Sequence, residues 1–502
     1  MSRARMDPSR DPLKPSNSKF LFNPEAPREV LALCWRISLL SCLAGSISLV
    51  LYSAFTNTRE THWLRLPELP RPRPRIPGPD GAAPTNISHI LFGIGGSLRT
   101  WHDRSRYSSL WWEPNSTRGF VWLDEKPPEN FSWPEGSIPY RVSEDATRFK
   151  SSSSKSAPRI ARIVLESFRL ELPNVRWFVM GDDDTVFFPR NLVTVLAKYD
   201  HRQMWYIGSN SESVEQDVMH GYSMAFGGGG FAISHPLAAE LADILDRCLD
   251  RYSHFYGSDQ RVWACVREVG VPLTVERGFH QIDIRGDPYG ILSAHPVAPL
   301  VSLHHLDDVD PIFPHRTQID ALKALMDPYR IDPARILQQS FCYDPNQKWS
   351  ISISWGYTIQ IYPSLVTANV LETPFQMFKT WRTWGNEPFT FNTRPESSDP
   401  CRQPVIYFVD TVREAGWTGS LTTYKRSDSK ASRGCAKADY ARVLAVESIT
   451  VSSMKMGPDY WNKAPRRQCC EIMDRGSIRS RSMRIRIRKC RAHKTRASPS
   501  DP

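Results

Sequence analysis

The sequence predicts an α/β domain followed by a smaller, mostly β domain, with a single membrane-spanning helix ahead of both. Three observations predict this. Apolar strand-like runs alternate with amphipathic helical spacing across residues 86–334. Polar–apolar alternation and β-branched or aromatic runs take over across 335–474. Residues 37–55 form an uncharged stretch of 19, close to the roughly 20 a bilayer-crossing helix needs.

Composition narrows the class. The chain has 502 residues, 40% hydrophobic and 23% charged, which supports a sizeable core and excludes a mostly disordered chain. Forty prolines exclude a helical bundle throughout, and ten cysteines are too few for a disulfide scaffold. The formal charge of +11 is concentrated at one end: residues 475–496 hold ten Lys or Arg and no acid. Without them the rest is close to neutral. A DNA-binding body carries its basic patch on the fold itself, so no nucleic-acid partner is expected. Residues 475–502 read as a basic, disordered tail.

The N-terminal elements follow in order. Residues 1–36 hold seven Lys or Arg and read as a cytoplasmic tail, which orients the span at 37–55 by the positive-inside rule. A cleaved signal peptide fits less well, because its apolar run would begin nearer the start and end at small residues. Residues 56–85 include LPELPRPRPRIPGPDGAAP, too rich in proline for helix or sheet, and read as an extended stem. Beyond it lie three N-glycosylation sequons, at Asn86, Asn115 and Asn130. Eight cysteines follow: Cys248, Cys265, Cys342, Cys401, Cys435, Cys469, Cys470 and Cys490. Their pairing cannot be read from spacing. Adjacent Cys469 and Cys470 lack the spacing of a zinc site.

In the first domain, residues 87–94 read as a buried strand ending at Gly95-Gly96, and GFVWL at 119–123 as a second strand ending at Asp124. Residues 159–172 carry helical spacing. A third strand, VRWFVM at 175–180, runs into Gly181-Asp182-Asp183-Asp184 and then Thr185-Val186-Phe187-Phe188. Three consecutive carboxylates between apolar runs repel one another and resist burial. A bound Mg²⁺ or Mn²⁺ reverses that balance, and the loop after a strand's carboxyl end is where open α/β sheets place ligands. The bland alternative is a solvated acidic turn.

Further along, FGGGGFAIS at 226–234 allows close backbone approach, but no phosphate-loop Lys-Ser/Thr follows it. Residues 236–252 form an amphipathic helix read as core. Asp259 opens a helix over 261–268, where an acid also simply favours a first turn. His304 and His305, in VSLHHLDD at 301–308, are candidate metal ligands or part of a polar loop.

The order RWFVMGDDDTVFF, GGGGFAIS, GSDQRVWACV with GVPL, then VSLHHLD resembles the Fringe-like β-1,3-glycosyltransferases of glycosyltransferase family 31, in particular a plant branch with an extra C-terminal domain of unknown function. The resemblance covers roughly residues 86–330. It implies a GT-A fold and Mn²⁺-dependent (or Mg²⁺-dependent) transfer of a hexose-type sugar from a UDP-sugar to a glycan or glycoprotein hydroxyl, with inversion to a β-1,3 linkage. It implies Asp184 as a metal ligand, with His304 preferred over His305 as the second. Asp182 and Asp183 would orient ribose and the metal's waters, and Asp259 would be the catalytic base. Ser97, Arg99, Arg104 and Asp124 match the nucleotide region loosely. The sequence departs from the family in GGGGF for G-G-A-G-F and in Ser258 for the first acid of a paired-acid motif. The Fringe fucose-acceptor signature is not identifiable. With the tail, span and stem, the resemblance implies a Golgi type II membrane protein with its catalytic domain in the lumen.

The second domain is expected to be held by some of Cys342, Cys401, Cys435, Cys469 and Cys470. WSISISW at 349–355 reads as a half-buried strand, and VIYFV at 405–409 as another. The tryptophans at 349, 355, 381, 384, 417 and 461 are read as core rather than as sugar-stacking platforms. Two other functions compete with transfer: a metal-dependent phosphohydrolase, which would need a second carboxylate–histidine cluster, and a catalytically silent glycan-binding or scaffolding protein of the same fold.

Overall fold

The computed structural model describes residues 35, 38–49, 84–149, 156–383, 385, 393–416, 418–427, 435–473 and 481–490. The chain divides into two compact units, Met1–Ala83 and Pro84–Pro502. In the first, residues 38–49 are helical and exposed. The rest of the expected span at 37–55, nearly all of the tail and the stem up to residue 83 lie outside the described residues. Among the described residues no helix is long and apolar enough to cross a membrane.

The second unit opens on an α/β layer. In chain order it contains β1 (Ile90–Gly95), α1 (Leu98–Ser108), β2 (Gly119–Leu123), β3 (Tyr140–Val142), α2 (Ala157–Phe168), β4 (Trp177–Asp182), β5 (Val186–Phe187), α3 (Pro189–Leu196), β6 (Tyr206–Gly208), α4 (Val214–His220), β7 (Phe231–Ser234), α5 (His235–Arg251), α6 (Ser258–Val269), β8 (Leu273–Val275), β9 (Ile284–Gly286), β10 (Ser302–Leu303) and α7 (Gln318–Ile331). Seven strands form one sheet in the order β3-β2-β1-β4-β7-β6-β8. The β3, β2, β1 and β4 neighbours pair in parallel, whereas β7 runs antiparallel to both β4 and β6. β1 and β4 are buried on both faces, as a sheet covered on each side requires. One face packs on α2, α5 and α6 through Ile163, Leu241, Leu245 and Val262. The other packs on Trp101, Trp111, Leu192 and Leu325, from α1, the loop after it, α3 and α7. Cys248–Cys265 joins α5 to α6. β5 and β10 form a small ladder of their own, in which Leu303 faces Val186. That ladder places the segment after β10 beside the loop after β4.

The second domain is a closed barrel of eight strands: β11 (Gln339–Asp344), β12 (Trp349–Ser354), β13 (Thr358–Tyr362), β15 (Val405–Ala415), β16 (Gly419–Arg426), β17 (Ser448–Met454), β19 (Ser482–Arg488) and β18 (Gln468–Ile472). The remaining strand, β14 (Phe378–Thr380), leaves the barrel and pairs antiparallel with β9 of the first domain. The two domains are therefore sewn together by a strand pair as well as by packing.

Three expectations are corrected here. The segment from 475 is not a disordered tail throughout: β19 lies between β17 and β18, and Cys490 is bonded to Cys469. The alternation explains this, since Met483, Ile485 and Ile487 enter the barrel core while the intervening Arg residues face out. Residues 474–480 and 491–502 lie outside the described residues. Secondly, β12 is buried along its whole length rather than on one face. Its serine face meets protein instead of water: Ser354 Oγ donates to Leu292 O (3.1 Å) and Ser350 Oγ to Ser364 O (2.9 Å). Thirdly, all five cysteines expected to hold the second domain are bonded, and one outside that set, Cys490, joins them: the pairs are Cys342–Cys470, Cys401–Cys435 and Cys469–Cys490. Trp349, Trp355 and Trp461 are core side chains. Trp384 and Trp417 lie outside the described residues.

Candidate functional site

β4 ends at Asp182 and delivers three carboxylates to the carboxyl edge of the sheet. A tight turn shapes the loop. Thr185 N donates to Asp182 O (3.0 Å), Asp182 N donates to Thr185 Oγ1 (2.8 Å), and that hydroxyl donates to Gly228 O (2.8 Å). Thr185 thereby ties the acidic loop to the Gly run.

The three carboxylates part company. Asp184 is buried beside His304, its Oδ1 3.1 Å from His304 Nε2, and Asp182 Oδ2 lies 3.7 Å from the same nitrogen. Asp182, Asp184 and His304 each present one ligand atom to a common point, all within 4.8 Å of one another. Asp183 turns the other way, where Arg104 Nη1 (2.7 Å) and Thr100 Oγ1 (3.1 Å) donate to it. Its carboxylate is engaged by Arg104 and Thr100, while Asp182 joins the metal-competent group. Arg104 also reaches Asp184 (3.3 Å).

The electrostatics suit a cation. Burial raises Asp182 to about 7, and repulsion from Asp184 and Asp183 adds to it. Burial also raises Asp183, against the pull of Arg104. Burial opposes the charge of Asp184 too, but His304 and Arg104 hold it well below the usual carboxylate range. His304 would be lowered by burial, yet Asp184 and Asp182 raise it to about 9. Two buried atoms of the group, Asp184 Oδ1 and His304 Nδ1, have no hydrogen-bond partner of good geometry. Two carboxylates and an imidazole around one point form an oxygen–nitrogen donor set that fits Mn²⁺ or Mg²⁺.

His305 is placed elsewhere. Its Nδ1 pairs with Asp283 Oδ1 (2.8 Å), and its ring stacks on Trp381 (4.3 Å between centroids, 16° between planes). Its backbone is left-handed (φ 52°), which sends the two adjacent imidazoles to different partners.

Asp259 stands on the other side of the Gly run. Gly227 N donates to its Oδ2 (3.0 Å) and Gln260 N to its Oδ1 (2.8 Å), at the first turn of α6. Burial raises its pKa, against these two N–H donors. Asp182, Gly227 and Asp259 line one small cavity. Gly227 thus holds Asp259, while Gly228 backs directly onto His304: a Cβ at Gly228 would lie 2.0 Å from His304 Cε1. The Gly run is the partition between the carboxylate of Asp259 and the imidazole of His304, a role that bare glycines did not disclose.

The loosely matched residues divide. Asp124 accepts from Ser97 Oγ (2.8 Å) and Leu98 N (2.9 Å), and so caps α1. Burial works against its charge, but these donors hold its pKa below the usual value. Arg104, two turns along α1, enters the acidic group. Arg99 is exposed and stays outside it. The sequence reading missed Asp283, whose second oxygen accepts from Ser211 Oγ (2.8 Å), and Gln281, which accepts from Gly229 N (2.5 Å). Trp381, read from the sequence as core, instead arrives from the second domain through the β9–β14 pair, stacks on His305 and carries Arg285 over its ring (3.7 Å). No local motif could have revealed this placement, since His305 and Arg285 lie 76 and 96 residues earlier in the chain.

The family profile described as Fringe-like matches residues 134–285, which contain β4, the acidic loop, the Gly run and Asp259. The chain belongs to the family described as "Protein of unknown function, DUF604", whose profile matches residues 216–470 and so runs from α4 across the Gly run into the barrel. Among curated relatives, the chain is 31% identical to a mouse "Beta-1,3-glucosyltransferase" over 151 residues, 30% of this chain and 29% of that one. It is 31% identical to the human protein of the same description over 137 residues, 27% of this chain and 26% of that one. The chain therefore spans less than a third of the length of the curated relatives it matches. Similar solved structures include a glycosyltransferase involved in glycosylation of the PBCV-1 major capsid, at 12% identity and TM-score 0.25, covering 47% of this chain and 97% of that one. Another is the galactosyltransferase LgtC with donor and acceptor sugar analogues, at 11% identity and TM-score 0.29, covering 47% and 94%.

Proposed function

We propose that the protein is an inverting glycosyltransferase of GT-A type, moving a hexose-type sugar from a UDP-sugar to a glycan or glycoprotein hydroxyl with formation of a β-1,3 linkage. The observation that carries the reading is the placement of Asp182, Asp184 and His304 on one side of Gly227-Gly228 and of Asp259 on the other. The Fringe-like match and the description of the mouse and human relatives support it.

Asp182, Asp184 and His304 would hold a Mn²⁺ or Mg²⁺ ion, which supplies positive charge to a diphosphate leaving group. Arg104 favours the charged forms of Asp183 and Asp184 and orients both carboxylates. Asp259 takes the proton of the acceptor hydroxyl as that oxygen attacks the anomeric carbon. Its raised pKa, caused by burial, strengthens it as a base, and the Gly227 N–H fixes the direction of its carboxylate. Direct displacement converts an α-linked donor into a β-linked product.

The setting proposed is the lumenal side of the Golgi membrane, with residues 37–55 as the anchor. Four disulfides accord with an oxidising compartment, and Asn86, Asn115 and Asn130 are exposed as glycosylated asparagines must be.

Calorimetric titration of UDP with and without Mn²⁺ tests the reading. Mn²⁺-dependent binding is expected, lost in Asp184→Ala and kept in Asp259→Asn, whose turnover falls by about 10²–10⁴. A folded protein that binds no UDP overturns it.

A further inference from the structure

Of the positive charge after residue 475, Arg481, Arg484, Arg486, Arg488 and Lys489 lie among the described residues, outside the acidic site. β19 turns Arg484, Arg486 and Arg488 to the outside of the barrel, and Cys469–Cys490 pins its end to β18. Beside this strand lies a cavity of about 910 Å³, walled by the ends of β16, β17, β18 and β19 and by the segment between β17 and β18. Eight of its lining residues are Lys or Arg and only Asp459 is an acid. Four of the eight are balanced from nearby: Arg335 by Asp332 (3.0 Å), Arg467 by Glu372 (2.8 Å), Arg488 by Glu471 (3.2 Å) and Lys455 by Glu414. The other four, Lys463, Arg466, Arg486 and Lys489, are exposed and have no acidic side chain paired with them among the described residues. Glu471, opposite Arg486 in the ladder, is engaged by Arg488.

We propose that this cavity binds an anionic polysaccharide. Four uncompensated cations on a concave wall focus a positive potential far more than the same charges on a flat face. Two of them are guanidinium forks that match a carboxylate or sulfate group. Tyr460 lines the same wall and sets an aromatic ring beside these cations. Charge alone would suit nucleic acid as well, but four disulfides belong to an oxidising compartment, where the abundant polyanions are glycans. The proposal does not depend on the transfer reaction: the cavity belongs to the barrel, and its occupancy is read without turnover.

The test is binding of the full chain to polygalacturonate, heparin, neutral dextran and a DNA duplex, at about 50 mM and about 500 mM salt. Polygalacturonate or heparin is expected to bind at low salt and to release at high salt, with dextran unbound. Tighter polygalacturonate identifies carboxylate as the recognised group, and tighter heparin identifies sulfate. The quadruple variant Lys463→Gln, Arg466→Gln, Arg486→Gln, Lys489→Gln should bind about tenfold or more weakly. A control of equal charge loss on the first domain (Lys126→Gln, Arg316→Gln, Lys323→Gln, Arg330→Gln) should lose less than about twofold. If the quadruple variant is unstable, single variants Arg466→Gln and Arg486→Gln carry the test, each expected about twofold or more weaker. Equal loss in variant and control, no polyanion binding at low salt, or tighter binding of DNA than of either glycan overturns the proposal.

Discussion

Replacing Gly228 by alanine adds one methyl group, and the structure says where it must go. The new Cβ would stand 2.0 Å from His304 Cε1 and 2.3 Å from both ring nitrogens. Ordinary contact begins near 3.4 Å, so a gap of more than 1 Å must open between the Gly run and the imidazole. The glycine cannot retreat easily, because Gly228 O accepts from Thr185 Oγ1, which also shapes the acidic turn. The ring must move instead, away from Asp184, whose Oδ1 it meets at 3.1 Å. Overpacking of this size costs about 1–3 kcal/mol, a fall in melting temperature of roughly 2–6 °C for a domain this large. Displacing one ligand from its partners weakens metal affinity by about 10–100-fold. Thermal denaturation and Mn²⁺ titration, each with and without UDP, read the two effects separately. A Gly228→Ala protein with wild-type melting temperature and wild-type Mn²⁺ affinity would refute the argument that the Gly run is the wall against which His304 is held.

Two further outcomes follow from the same geometry. Trp381→Ala removes the ring on which His305 stacks and over which Arg285 lies; kcat/KM should fall about tenfold while Mn²⁺–UDP affinity stays within about threefold, and Trp381→Phe should restore most of the loss. Equal loss of nucleotide affinity would make the effect merely structural. Glu166, buried against Arg162 on α2, is raised to about 7 by burial. A carboxyl raised on folding stabilises most below its unfolded pKa of about 4.5 and loses that contribution as pH rises through about 7, at most about 3 kcal/mol. Glu166→Gln should therefore gain melting temperature over wild type as pH rises from about 5 to about 8.5, because Asp246 and Glu144 still hold Arg162. Parallel melting curves across that range would remove the argument.

What could be read along the chain was local. The apolar run ending in three aspartates announced a strand and a cation-seeking loop, because consecutive carboxylates beside buried residues have few stable uses without a counter-charge. The spacing in α5 announced its core face, and the structure buries Leu237, Leu241, Leu245 and Leu249 together. An acid opening a helix was visible at Asp259, but a first-turn acid is favourable in any helix, so its partner Gly227, 32 residues away, had to be supplied by the fold.

Other features depend on which strands become neighbours, and strand pairing between distant segments has no local signature. The short β5–β10 ladder sets His304 against Asp184 and leaves His305 to Asp283 and Trp381. Adjacent histidines are equivalent in sequence, and only the backbone turn at His305 separates them. The Arg-rich end looked disordered because its charge dominated its composition, yet alternate residues there are apolar, and a barrel with an open place between β17 and β18 turns that alternation into a strand. Residue types and their spacing determined the chemistry on offer: a cluster of carboxylates, two imidazoles, a flexible Gly run and a reservoir of positive charge. Closing the barrel and pairing β9 with β14 decided which of these groups meet, because those contacts form only when segments far apart in the chain bury their apolar faces together.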